Sequence, residues 1–213
     1  MVTETSDGVF YAKTKLPTEF GDFDVRIFRE GDREHLAISQ GDLDGATAVT
    51  VRVHSECLTS EVLGSLKCDC KAQLDLALQT VATEGRGVVI YMRQEGRGIG
   101  LGNKIRAYAL QEQGVDTVDA NRLLGLEDDS RDYTAAAAIL AGLGIQSIRL
   151  MTNNPEKISG LRALGVDVVE RVETIAGIND VNREYLETKT QRMGHMINSC
   201  DLERSQKRWR VVK

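Results

Sequence analysis

Three of the four cysteines, Cys57, Cys68 and Cys70, lie within a segment of 14 residues. Thiolates suit Zn²⁺, which prefers tetrahedral sites made of nitrogen and sulfur ligands. Three protein ligands leave the fourth position to water, as in catalytic zinc sites. A structural zinc would need a fourth ligand, which His54 or Cys200 could supply. The spacing C-x10-C-x-C therefore indicates a zinc centre and favours a catalytic one.

A histidine and a glutamate, His54 and Glu56, come directly before Cys57. This order is similar to the H-x-E signature of zinc deaminases, in which the glutamate is the general acid and base. The match is incomplete, because no proline precedes Cys68 and the cysteine pair is C-x-C rather than C-x-x-C. A zinc hydrolase and a zinc-dependent nucleotide deaminase both stay open at this point.

A glycine-rich basic segment, RQEGRGIGLGNK, occupies residues 93–104. Its spacing is neither that of a Walker A loop nor that of a dinucleotide-binding loop, but closely spaced glycines let main-chain N–H groups approach an anion. Residues 86–106 contain five basic side chains and one acidic one, a net charge of +4. Since the whole chain has a net charge of −5, the remaining residues together carry −9. A basic segment on an acidic protein favours a polyphosphate ligand.

Two shorter polar segments precede predicted helices. The acidic segment 127–132 is typical of a helix N-terminus, where carboxylates oppose the positive end of the helix dipole. Lys157 lies in the first turn of a later helix, where a cation is unfavourable. A bound phosphate would explain that lysine, and so would simple exposure at the surface.

The composition excludes several classes of protein. The chain has 213 residues, 41% of them hydrophobic and 28% charged, as in ordinary globular proteins. The net charge of −5 argues against bulk nucleic-acid binding. No apolar run approaches the about 18 residues of a membrane span, and no signal-peptide core is seen near residue 1. We therefore expect a cytoplasmic protein, in which clustered thiols bind metal rather than form disulfides.

Alternating apolar strands and helices predict an α/β fold: one domain over residues 1–213 with a mixed β-sheet flanked by helices. Apolar and polar residues alternate over 20–30 and 35–42, which predicts an N-terminal antiparallel hairpin. Further strands are predicted at 46–56, 87–92, 145–152 and 166–172. Helices are predicted at 72–85, 103–114, 131–144 and 153–165, the last with Asn154 as its N-cap. We expect the basic C-terminal tail, about 198–213, to be solvated or frayed.

The combined motifs resemble the GTP cyclohydrolase II family over about residues 20–197. The matching segments are VRVHSECLTSEVLGSLKCDC, YMRQEGRGIGLGNKIRAYALQ, DTVDANRLLG, RDYTAAA, RLMTNNPEK and YLETK…RMGH. The resemblance implies a cyclohydrolase II-like fold and the first step of riboflavin biosynthesis. In that step GTP loses C8 of its imidazole ring as formate and releases pyrophosphate, which leaves 2,5-diamino-6-ribosylamino-4(3H)-pyrimidinone 5′-phosphate.

The same resemblance implies a set of site residues. Zn²⁺ would be held by Cys57, Cys68 and Cys70, and Mg²⁺ would accompany the triphosphate. The implied nucleotide contacts are Arg52, Val53, His54, Ser55, Glu56, Gln73, Glu95, Gly96, Arg97, Thr117, Thr152 and Lys157. The implied catalytic residues are Asp129 as proton acceptor, Arg131 as nucleophile or charge stabiliser at the α-phosphorus, and the active-site tyrosine Tyr108. Members of the family are homodimers.

Other interpretations stay open beside this one. The chain could be a paralogue that stops at the formylated intermediate, although Tyr108 favours full deformylation. It could be a zinc-dependent nucleotide deaminase, or a non-catalytic GTP-binding module with a structural zinc. Lys71 and Gly102 replace the commoner Gly and Leu of the family, which affects loop detail rather than ligands. At 213 residues we expect no fused dihydroxybutanone-phosphate synthase domain.

Overall fold

The first strands form an antiparallel meander. The structure is a computed structural model that describes residues 9–127 and 129–197. Its first three strands are β1 (Ala12–Thr18), β2 (Gly21–Glu30) and β3 (Arg33–Gln40). The predicted hairpin is confirmed as β2 and β3. Strand β1 was not predicted, because it is largely exposed on both faces and so lacks the apolar alternation of a half-buried strand.

Four further strands are parallel to one another. They are β4 (Val49–Ser55), β5 (Gly87–Met92), β6 (Ile148–Met151) and β7 (Val168–Val172). Across the sheet of the described residues the order is β1-β2-β3-β5-β4-β6-β7, with β3 antiparallel to β5. The predicted mixed sheet is confirmed. In such sheets, ligands bind beyond the carboxyl ends of the parallel strands.

Helices cover both faces of the sheet. They are α1 (Leu58–Glu61), α2 (Cys70–Glu84), α3 (Leu101–Gln111), α4 (Thr117–Leu123), α5 (Thr134–Gly142), α6 (Pro155–Ala163) and α7 (Arg183–Met193). The four predicted helices are confirmed as α2, α3, α5 and α6. The N-cap of α6 is confirmed too, because Asn154 Oδ1 accepts the main-chain N–H of Glu156 at 2.9 Å.

The apolar core lies in two layers, one on each side of the sheet. Successive residues of β5 alternate between them: Val88 and Ile90 pack with residues of α5, whereas Val89 packs with Ala77 and Val81 of α2. This alternation follows from the strand period of two residues. Among the described helices none is long and apolar enough to cross a membrane. The predicted basic tail at about 198–213 lies outside the described residues.

Candidate active site

A cleft forms where the parallel strands β4 and β5 end. Strand β4 leads to Cys57, and β5 leads into the glycine-rich loop. Helix α2 begins at Cys70, which brings the C-x-C pair to the same edge of the sheet. Of the predicted site residues whose side chains the structure describes, all but Val53 and Asp129 line this cleft. The fold therefore gathers segments that lie far apart in the sequence.

The remaining three predicted residues differ from one another. The side chain of Val53 is fully buried in the core, but its carbonyl oxygen accepts a hydrogen bond from Lys157 Nζ at 2.7 Å. Thr117 begins α4, and its side chain lies outside what the structure describes. Asp129 does not line the cleft but forms an ion pair with Arg131, which does. Val53 and Asp129 thus contact residues that line the cleft.

The three cysteine sulfur atoms form a compact group. All lie within 4.8 Å of one another, and Cys57 Sγ is 3.5 Å from Cys68 Sγ. Tetrahedral Zn–S bonds of about 2.3 Å place sulfur atoms about 3.7 Å apart, so the group matches a zinc site. Within the described residues no histidine or carboxylate joins it, and His54 Nε2 instead lies 2.7 Å from Glu61 Oε1. The donor set within the described residues is three thiols, and Cys200, the other candidate for a fourth ligand, lies outside those residues.

A lysine whose side chain is only 12% exposed stabilises negative charge on the cysteine group. Lys104 Nζ lies 3.1 Å from Cys57 Sγ and 2.8 Å from Glu95 Oε1. Hydrogen bonds from the Cys68 and Cys70 thiols, together with the Lys104 ammonium, lower the pKa of Cys57. Hydrogen bonding to Cys57, together with burial, raises the pKa of Cys68 and that of Cys70. Without a metal, therefore, one cysteine favours the thiolate form and the other two favour the thiol form. A bound divalent cation would favour the thiolate form of all three.

The glycine-rich loop is fixed at both ends. Glu95 accepts the main-chain N–H groups of Leu58, at 2.7 Å, and of Gly96, at 2.8 Å. Gly96 and Arg97 are both left-handed, with φ of 63° and 60°, a conformation that is uncommon for a residue with a Cβ. On the far side, Ser130 N–H donates to the carbonyl oxygen of Arg97 at 3.0 Å. The loop is thus tied to the cysteine segment and to the Asp–Arg ion pair.

Arg131 is held at the cleft by several hydrogen bonds to Asp129. Its Nε lies 2.8 and 3.0 Å from the two carboxylate oxygens, and its Nη2 also donates to the carboxylate. Burial opposes both charges, but the ion pair outweighs it, so the pKa of Arg131 is raised and the pKa of Asp129 is lowered. The guanidinium stays protonated, which suits the stabilisation of phosphate charge.

Two further cations are buried in the cleft. Lys157 is only 4% exposed, so the alternative of a surface lysine is wrong. Burial, followed by repulsion from Arg52 and Arg131, lowers the pKa of Lys157 well below its usual value. Arg52 donates to the carbonyl oxygen of Met151 at 2.8 Å, and burial lowers the pKa of Arg52 as well. An anionic ligand would relieve this crowding of positive charge.

Other predicted residues lie around these cations. Glu56 forms an ion pair with Arg93, and Arg93 Nε donates to Glu56 Oε2 at 2.9 Å. Thr152 is buried at the end of β6. Tyr108 lies on α3, where Lys104 Nζ is 5.8 Å from its ring centroid, and burial raises the pKa of Tyr108. The phenol is therefore protonated at neutral pH and can donate a hydrogen bond.

Comparison with known proteins agrees with this geometry. The sequence profile of GTP cyclohydrolase II matches residues 10–173. The chain belongs to the GTP cyclohydrolase II family. It is therefore a hydrolase. Curated relatives named GTP cyclohydrolase-2 include a Hahella chejuensis protein, 53% identical over 192 residues that cover 89% of this chain and 93% of the relative. Another, from Escherichia coli O9:H4, is 52% identical over 189 residues, covering 88% and 96% of the two chains.

A solved structure also resembles the fold at a low level. It is RibBX, a two-domain 3,4-dihydroxy-2-butanone 4-phosphate synthase from A. baumannii, with 20% sequence identity and a TM-score of 0.44. The match covers 75% of this chain and 38% of that one. This similarity is too weak to support any statement about the GTP cyclohydrolase II site.

Ten residues that line this GTP cyclohydrolase II cleft were not predicted as site residues, and four of them are ionisable: Lys104, Tyr185, Lys189 and His195. These four lie in the segments GLGNK and YLETK…RMGH, so the resemblance of those segments was the available signal. Burial, followed by the charge of Lys189 and other cations, lowers the pKa of His195 to about 3. The imidazole is thus neutral in a strongly cationic cleft.

Proposed function

We propose that this protein hydrolyses GTP, opens the imidazole ring with release of formate and pyrophosphate, and leaves 2,5-diamino-6-ribosylamino-4(3H)-pyrimidinone 5′-phosphate. This reaction begins riboflavin biosynthesis. The observation that carries the proposal is a three-thiol group beside a cluster of buried cations in one cleft. A ring opening needs a metal site and a triphosphate needs positive charge, and this cleft offers both. The names of the curated relatives support GTP as the substrate.

The three thiols are the residues that would hold Zn²⁺. Bound there, the ion supplies Lewis-acid chemistry at C8 of the purine. Lys104 keeps Cys57 in its thiolate form and is itself held in place by Glu95. Because burial raises its pKa, Tyr108 stays protonated, and its phenol can donate a hydrogen bond to the opened ring.

The triphosphate would lie against the cations of the cleft. Arg97, Lys157 and Arg131 line the cleft from three different segments, the glycine-rich loop, α6 and the loop before α5, and would reach the triphosphate there. Mg²⁺ would accompany the phosphate oxygens, as it does in other nucleotide sites. Because the ion pair with Asp129 raises the pKa of Arg131, we favour charge stabilisation over nucleophilic attack as its role at the α-phosphorus.

The deciding assay incubates the protein with GTP, Zn²⁺ and Mg²⁺ and quantifies formate, pyrophosphate and ammonia. We expect formate and pyrophosphate in equal amounts. Pyrophosphate without formate would indicate the formylated product, and ammonia without formate would indicate a deaminase. GTP returned unchanged would indicate a binding module. Any of these three results contradicts the proposal.

The metal is tested by Cys68→Ser, with Cys200→Ser as the matched control. Loss of one thiolate from a three-cysteine site should remove bound zinc and formate release together, since thiolates supply the whole protein donor set. Metal content is measured by elemental analysis on the purified variants. Formate release that persists in Cys68→Ser would refute a catalytic zinc, and equal losses in both variants would refute the assignment of the site.

We further propose that the protein is a cytoplasmic homodimer. The free thiols of the described cysteines suit a reducing compartment. Sedimentation velocity measures the mass of the particle, and a value of one chain at micromolar concentration would contradict the dimer.

A further inference from the structure

A buried carboxylate between two of the cluster cysteines connects three residues of the cleft. Asp69 is 4% exposed and accepts a hydrogen bond from Lys189 Nζ, at 3.3 Å to Oδ1. Its Oδ2 accepts another from Gln73 Nε2. The other end of the same amide, Gln73 Oε1, accepts from Arg52 Nη2. Lys189, Gln73 and Arg52 line the cleft, whereas Asp69 does not.

These contacts form a row in the order Lys189, Asp69, Gln73 and Arg52. Only one arrangement of hydrogen-bond donors and acceptors satisfies this row. Lys189 and Arg52 can only donate, and the amide of Gln73 donates at one end and accepts at the other. Asp69 must therefore accept hydrogen bonds from both sides. A carboxylate can do so, whereas an amide at position 69 would turn a donor towards one of its neighbours. Because Asp69 and Arg52 are buried and Gln73 and Lys189 are only partly exposed, a donor that faces a donor is costly.

We propose that Asp69 is a positioning residue for the nucleotide. It fixes the orientation of the Gln73 amide, and through it the place of the Arg52 guanidinium in the cleft. It also holds Lys189, and with it α7, against the segment that carries the cysteines. This inference rests on the proposed function, because Arg52 and Gln73 are predicted nucleotide contacts.

The first test is Asp69→Asn, with binding of a non-hydrolysable GTP analogue to the zinc-loaded protein measured by calorimetry. The new amide N–H must face either the Lys189 ammonium or the Gln73 amide N–H. Turning Gln73 over only moves the conflict to Arg52. We expect the dissociation constant to rise by at least about tenfold, with zinc content unchanged.

The second test restores the pattern of donors and acceptors by moving the carboxylate from position 69 to position 73. In the double variant Asp69→Asn/Gln73→Glu, the asparagine accepts from Lys189 and donates to the new glutamate, which accepts from Arg52. We expect this variant to bind the analogue more tightly than Asp69→Asn. The single variant Gln73→Glu places two carboxylates together and should bind less tightly than the wild type. If the carboxylate of Asp69 were needed only for folding, adding Gln73→Glu to Asp69→Asn would not be expected to restore affinity for the analogue.

Three results would overturn the inference: unchanged binding by Asp69→Asn, loss of zinc from that variant, or a folded double variant that binds no better than it. Thermal denaturation reports the folding of each variant. If Asp69→Asn does not fold, comparison of the double variant with Gln73→Glu still decides, since the inference requires the double variant to bind more tightly. Failure of the proposed function is seen separately, as a wild type that releases no formate.

Discussion

We expect Lys157 to favour nucleotide binding while it lowers the stability of the folded protein without ligand. Its ammonium is buried beside two other cations, and its one described hydrogen bond is to the carbonyl oxygen of Val53. Because burial and repulsion lower the pKa of Lys157, the folded protein holds that proton less tightly than the unfolded chain does. The charge is therefore unfavourable without a ligand and becomes favourable when an anion arrives.

We predict that Lys157→Met stabilises the free protein and weakens nucleotide binding. Stability of the wild type should rise as the pH increases towards the usual lysine pKa of 10.5, since the unfolded chain binds more protons in that range. The variant lacks this group, so its free energy of unfolding should rise less over the same range. Chemical denaturation at several pH values measures the difference. A variant that is less stable than the wild type and keeps its nucleotide affinity would contradict this account.

At the scale of elements, a close approach of two main-chain turns joins α2 to the hairpin. Gly85 ends α2 in the left-handed conformation, and Gly41 follows β3 with φ of 77°. A Cβ at Gly41 would lie 2.6 Å from the carbonyl oxygen of Gly85. Since α2 begins at Cys70, this contact helps to set the position of the helix that carries one of the cluster cysteines.

We predict that Gly41→Ala destabilises the protein more than Gly45→Ala does. Both glycines have positive φ, but a Cβ at Gly45 would meet nothing within 4 Å. The control should lose about 1 kcal/mol through its backbone conformation alone. The variant at Gly41 adds a clash with main chain, which costs a further about 1–3 kcal/mol. Urea denaturation of the two variants checks the order, and equal losses would show that the contact carries no energy.

At the scale of the whole molecule, charge is distributed unevenly. The chain has a net charge of −5, yet the cleft is lined by the six cations Arg52, Arg97, Lys104, Arg131, Lys157 and Lys189. Ligand binding in such a cleft depends on electrostatic attraction that dissolved salt screens. The acidic remainder limits binding of large polyanions, since they would contact the surface outside the cleft.

We predict that affinity for a GTP analogue falls as salt increases from about 0.05 to about 0.5 M KCl, where the screening length shortens several-fold. Guanosine, which has no phosphate, provides the control and should bind with little dependence on salt. Calorimetry or fluorescence competition measures both. A GTP affinity that is as insensitive to salt as that of guanosine would contradict a site dominated by these cations.

Prediction of the elements from sequence succeeded where burial or helix capping leaves a local pattern. Strand β5 is an apolar run and α6 carries its cap and its proline, so both were predicted. Helix α7 was missed because Leu186 is the single fully buried apolar residue among its described side chains. Packing against the rest of the protein, rather than an apolar stripe, specifies such a helix.

The sequence by itself determined the cysteine group, the basic loop and the family, because residue types and their spacing can be read directly along the chain. The tertiary structure alone decided that β4 lies between β5 and β6, which brings Cys57 beside the glycine-rich loop. It also decided that Lys157 is buried and that Asp69 meets Lys189, 120 residues later in the chain. Burial and the pairing of distant charges depend on how chain segments pack, and no local pattern records them.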